Sequence, residues 1–96
     1  EQHTVWMKYL PKLRKSTEKI KGTSDLEQQR QFFIALSDNM YAVMKSVKPD
    51  GETYLEHCPM ANEGKGANWL SREKNIKNPY YGQSMLTCGK VTEIIR

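Results

Sequence analysis

Two segments gather the side chains with the most reactive chemistry. His57-Cys58-Pro59-Met60 and Met85-Leu86-Thr87-Cys88-Gly89 together hold both cysteines, two of the five methionines and one of the two histidines. Thiolate and thioether hold soft ions such as Cu(I), while thiolate and imidazole also bind zinc. Two cysteines can equally close a disulfide. In an extended segment Cys58 and Met60 would share a face, with His57 on the other. In a helical turn Met85 and Cys88, three residues apart, would share a face. Two sulfur pairs can therefore converge. The candidate ligand set is Cys58, Met60, Met85 and Cys88, with His57 as an outside member. Such a set suits Cu(I) or Ag(I), and methionine is a poor zinc ligand.

The competing chemistry is a Cys58–Cys88 disulfide. Closing a loop of roughly 30 residues contributes about 3–4 kcal/mol in the chain-entropy model. Buried free thiols are the third alternative. Residue chemistry leans to the disulfide and leaves all three open. Paired CxxC knuckles, CxxCH and a thioredoxin-like CxxC are absent from the sequence. The loop Asn62-Glu63-Gly64-Lys65-Gly66 matches neither GxGxxG nor GxxxxGK[ST]. Glu56, Glu63 and Glu73 form no recognisable acid–base pair, and no nucleophile elbow occurs. A non-catalytic protein is expected. Trp69, Tyr80 and Tyr81 read as an internal aromatic floor under the helices, with a partner-binding surface as the alternative.

The elements that must position these residues follow from periodicity. Trp6, Leu10, Leu13, Thr17 and Ile20 step by four and three, which predicts a first helix over 4–21. Pro11 predicts a kink or a late helix start, and the lysines read as a solvated face. Leu26, Phe33, Leu36, Met40, Val43 and Val47 predict a second helix over 25–47. Ser24 and Glu27 read as its capping box. Met40 and Met44 read as core filler, and Pro49-Asp50-Gly51 as its stop. The short link predicts an antiparallel hairpin. Beyond it, Thr53–Cys58 reads as a strand, Ala67–Ser71 as a strand or one helical turn, and 83–86 as a turn of helix. Lys90–Ile95 reads as a terminal strand able to pair with 54–57 in a two-stranded ribbon.

Bulk properties bound the function. The chain of 96 residues carries a net charge of +4, a pI near 9.1 and a mean hydropathy of −0.77. That is one small domain with a modest core. The basic residues are spread, so neither nucleic acid nor a membrane surface is an expected partner. No stretch is long and apolar enough for membrane insertion. The chain begins Glu1-Gln2-His3 without Met, which is read as a processed or truncated start.

Several segments resemble a bacterial family, the domain of unknown function 3347. They are His57-Cys58-Pro59-Met60-Ala61, Gly66-Ala67-Asn68-Trp69-Leu70-Ser71, Ile76-Lys77-Asn78-Pro79-Tyr80-Tyr81-Gly82 and Met85-Leu86-Thr87-Cys88-Gly89, with Gln29–Ser37 as its long helix. The resemblance spans about residues 20 to 95, and the Cys58–Gly89 half is its specific part. It implies an exported, periplasmic or envelope protein, linked to copper/silver-type heavy-metal efflux adaptors, with copper as the ion. It implies more helix upstream, so that a bundle lacking it would favour dimerisation. The expectation is a single mainly α domain, 1–96. A long antiparallel helical hairpin (1–48) packs on a small irregular Cys-Pro-Met/Cys-Gly unit (49–96) with at most a two-stranded ribbon. Its expected function is Cu(I) binding for sequestration or handover to efflux machinery. The alternative is an envelope interaction domain stapled by Cys58–Cys88.

Overall fold

The computed structural model describes residues 2–48, 50–81 and 85–96. The chain divides into two compact units, 1–48 and 49–96. The first is a pair of packed helices, α1 (Gln2–Lys21) and α2 (Leu26–Val47). Pro11 lies inside α1 without ending it. The buried positions of α1 are Leu13 and Ser16 rather than the whole expected stripe. Trp6 and Thr17 are exposed, and the Thr17 hydroxyl donates to the Arg14 carbonyl at 2.9 Å. Two helices can cover only one side of each other, so the outer part of a broad stripe stays wet.

The turn between the helices is held by side chains. Asp25, not Ser24, is the N-cap of α2, and its carboxylate accepts from the Glu27 N–H at 3.0 Å. Thr23 Oγ1 accepts from the Asp25 N–H at 3.1 Å. The Gln29 amide donates to the Thr23 carbonyl at 2.8 Å and the Ile20 carbonyl at 3.3 Å. The last carries a donor to the otherwise unpaired end of α1. Asp25→Ala is expected to lower stability by about 1 kcal/mol and Ser24→Ala by a few tenths. Urea midpoints of the two variants check this, and a larger loss at Ser24 would restore the capping-box assignment. Val43 and Ser37 are the buried residues of α2, and Leu26, expected in the core, is 56% exposed. It is the first residue of α2, directly after the connecting turn, where the helix pair ends. α2 ends on Lys48, left-handed at φ 52°, whose N–H donates to the Met44 carbonyl at 2.9 Å. Of the stop expected at Pro49-Asp50-Gly51, Pro49 lies outside the described residues, and Asp50 and Gly51 form a bend after the helix.

The second unit corrects the two-stranded expectation. Among the described residues it holds a three-stranded antiparallel sheet in the order β2-β1-β3, from β1 (Thr53–Cys58), β2 (Ala67–Ser71) and β3 (Lys90–Ile95). The terminal strand pairs with β1 as its pattern suggested, from Thr53↔Ile95 to His57↔Lys90. The added strand is Ala67–Ser71, paired from Tyr54↔Ser71 to Cys58↔Ala67. It is stable as a strand because Ala67 and Trp69 alternate inward and bury against β1. β1 is central, so its Tyr54, Glu56 and Cys58 share one face with Trp69 and Ala67. His57 and Leu55 share the other with Asn68 and Leu70. A register shift at Leu55/Glu56 adds Thr92 to β3, and the Thr92 hydroxyl donates to the Leu55 carbonyl at 3.2 Å.

Candidate functional site: a paired dithiol at the end of the central strand

Cys58 closes β1, and Cys88 stands two residues before β3. The chain brings their sulfurs to 3.1 Å as free thiols. Cys58 is 0% exposed and Cys88 is half-buried. Three devices make the approach.

The first is the return of the chain after β2. Tyr80 packs edge-on against Trp69, with centroids 6.0 Å apart at 71°, and its hydroxyl donates to the Asn68 carbonyl at 2.6 Å. The second is Asn78, 1% exposed. Its amide donates to the Cys88 carbonyl at 2.8 Å while its oxygen accepts from the Tyr80 N–H at 2.8 Å, and its own N–H donates to the Leu86 carbonyl. One buried side chain thus ties the Tyr80 turn to the Cys88 strand entry. The third is Gly89, at φ +137°. A Cβ there would lie 2.9 Å from the His57 carbonyl and 3.0 Å from Trp69 Cη2. Only glycine lets the backbone after Cys88 come this close to β1.

Chain direction reverses just past Cys58. Pro59 and Met60 begin a turn instead of continuing the strand, so the alternation that would put Met60 beside Cys58 does not apply. Ala61 is buried, and Asn62, Glu63 and Gly64 are all left-handed. The Tyr81 hydroxyl donates to the Met60 carbonyl. Burial pushes the Cys58 thiol up. The Cys88 thiol, the Met60 N–H, the Asn78 amide and the Ala61 N–H favour its anion and together hold it below the usual thiol range. Cys88 moves the other way, because it shares its proton with Cys58, is partly desolvated and faces the Cys58 charge.

The remaining expected residues separate. His57 is on the opposite face of β1, with Nδ1 2.6 Å from Asn68 Oδ1 and its ring over Gly66, where a Cβ would meet Cε1 at 2.7 Å. Met60 is 56% exposed, and Met85 is half-buried in the turn closed by the Cys88 N–H to Met85 carbonyl bond at 3.1 Å. The helical turn expected over 83–86 is partly outside the described residues. Trp69 and Tyr80 are buried, and Tyr81 is half-buried. Among the described residues no group of three His, Cys, Asp or Glu side chains is placed to hold a metal ion.

Glu56 is the residue that motif reasoning passed over. It is 0% exposed on the Cys58 face, between Trp69 and Val91 across the strands. Neither carboxyl oxygen finds a hydrogen-bond partner. Burial raises its pKa, the Glu73 charge adds to that, and the nearby Trp69 indole opposes it without a hydrogen bond of normal geometry. Its position two residues before Cys58 in a strand was the signal available in the sequence.

Residues 1–52 match the model of a family described as "Protein of unknown function (DUF3347)". The chain belongs to this family. The matched part of this DUF3347 chain covers the two helices and ends before β1, so the Cys58–Gly89 stretch, expected as the most specific part, lies beyond it. No curated protein and no solved structure matches the chain. No described helix is long and apolar enough to cross a membrane.

Proposed function

We propose that the C-terminal unit is a soft-metal binding module for Cu(I), serving sequestration or handover to heavy-metal efflux machinery in the cell envelope. The observation that carries this is the pair of thiol sulfurs 3.1 Å apart, one of them fully buried. The thiolate is the form that binds metal, and the donors around Cys58 favour that form. Cys58 and Cys88 would hold the ion, and Met60, exposed in the turn after Cys58, and Met85, half-buried in the turn before Cys88, would be the further soft donors to draw in. Two thiolates suit a soft monovalent ion that accepts low coordination, whereas zinc calls for four ligands. His57, turned to the other face and engaged with Asn68, is left out of the set. The envelope location and an efflux adaptor as partner rest on the family resemblance in the sequence.

Reduced protein titrated with Cu(I) against a competing chelator is expected to bind one equivalent. The Cys58→Ser, Cys88→Ser double variant should lose affinity by more than the roughly 10–100-fold that outer-shell changes cause. Equal affinity in the two proteins would overturn the proposal.

A second reading is favoured by the same distance. The sulfurs are closer than the roughly 3.5–4 Å of two thiolates sharing one tetrahedral metal. A Cys58–Cys88 disulfide in an interaction domain needs only a small further approach. Protein isolated with that bond and indifferent to copper under reducing conditions would decide for it.

A further inference from the structure

The two sulfurs differ in access, and that difference has a chemical consequence. Cys58 is fully buried, while Cys88 is only partly buried. We infer that the pair is a thiol–disulfide exchange site in which Cys88 is the entry sulfur and Cys58 the resolving one, with small-molecule or protein disulfides as its partners. This goes beyond metal binding, and its test contains no metal, so either can fail without the other.

Cys88 Sγ, giving up its proton across the 3.1 Å contact with Cys58 Sγ, attacks one sulfur of an external disulfide; that S–S bond breaks, a mixed disulfide forms on Cys88, and the first external sulfur leaves. Cys58 Sγ, 3.1 Å away, then attacks Cys88 Sγ. The Cys58–Cys88 bond forms and the second external thiol leaves. The protein gives up two electrons and two protons, and the external disulfide is reduced to two thiols. In reverse, an external thiolate attacks Cys88, because exchange requires an approach to the sulfur. Cys58 is the sulfur that leaves. Asn78, by holding the Cys88 carbonyl, keeps the entry sulfur opposite its partner.

The experiment uses chelator-treated, reduced full chain. A short pulse of iodoacetamide followed by peptide mapping should label Cys88 at least about tenfold faster than Cys58 in buffer, and both at similar rates in denaturant, where access is equal. With oxidised glutathione, wild-type protein should pass to the internal disulfide without a lasting adduct, while Cys58→Ser should retain glutathione on Cys88. Equal labelling of the two cysteines in buffer would overturn the inference. So would a lasting glutathione adduct on the wild type, or no reaction at all. The labelling arm needs no variant, so misfolding of Cys58→Ser cannot stand in for an answer.

Discussion

Gly89→Ala is expected to destabilise the C-terminal unit by on the order of 3 kcal/mol. Two effects add. At φ +137° an L-side chain is strained, and the new Cβ would stand 2.9 Å from a backbone carbonyl that belongs to the central strand. That carbonyl cannot swing aside without disturbing the ladder between β1 and β3. The alternative is for Gly89 to retreat, which carries Cys88 away from Cys58. Gly64→Ala is the matched control. It has the same kind of backbone, φ +84°, with nothing within 4 Å of the added carbon, and should cost only about 1 kcal/mol. Urea unfolding followed by Trp69 fluorescence in a Trp6→Phe background measures both. Equal losses would mean that close approach to β1 plays no part. The same variants link fold to chemistry: Gly89→Ala should also slow internal disulfide formation, while Gly64→Ala should not.

The second large effect is a pH dependence set by Glu56. Its folded-state pKa is raised, chiefly by burial. The sign follows from linkage. The neutral acid is the form the fold accepts, so the associated stability is complete below the unfolded carboxylate value. It is lost as pH rises through the folded value. Each pH unit between those two values removes about 1.4 kcal/mol. Metal-free reduced protein should therefore be more stable in mild acid than at neutral pH, opposite to a carboxylate held by a cation. Glu56→Gln should flatten that window and, at neutral pH, exceed the wild type in stability. Urea midpoints across mildly acidic to neutral pH test it, and parallel curves for the two proteins would sink it. Glu52 does not enter that window, because its hydrogen bonds from Arg96 and Tyr54 lower its pKa and it titrates on the acid side.

Much of this molecule was legible from residue order. The two helices follow from apolar steps of three and four, and the terminal strand and its pairing with β1 from alternation and turn chemistry. What pattern could not assign was the margin of each stripe. Trp6 and Leu26 obey the helical period yet remain exposed, because a hairpin of two helices has too little facing surface to cover every apolar position. Asp25 displaced Ser24 as the cap because both residues are competent and only the path of the turn, held by Thr23 and Gln29, chooses between them. Ala67–Ser71 was ambiguous because five residues with one aromatic do not distinguish a strand from a helical turn. Its pairing partner β1 lies several residues upstream, across the Pro59–Gly66 loop.

The same division holds at the site. Sequence alone determined the inventory: two thiols some thirty residues apart, two thioethers beside them, and glycine and asparagine at the positions a close approach would need. It also determined that His57 and Cys58, as neighbours in a strand, must face opposite ways. Only the tertiary structure decided which of these meet. Cys58 meets Cys88 because Asn78 and Gly89 pull the returning chain onto β1, and Met60 leaves the strand because the chain turns at Pro59. Local spacing governs which face a side chain occupies, but the meeting of two sulfurs depends on contacts among residues distant in the chain. Among those contacts is the buried packing of Trp69 against Tyr80, eleven residues apart in the chain.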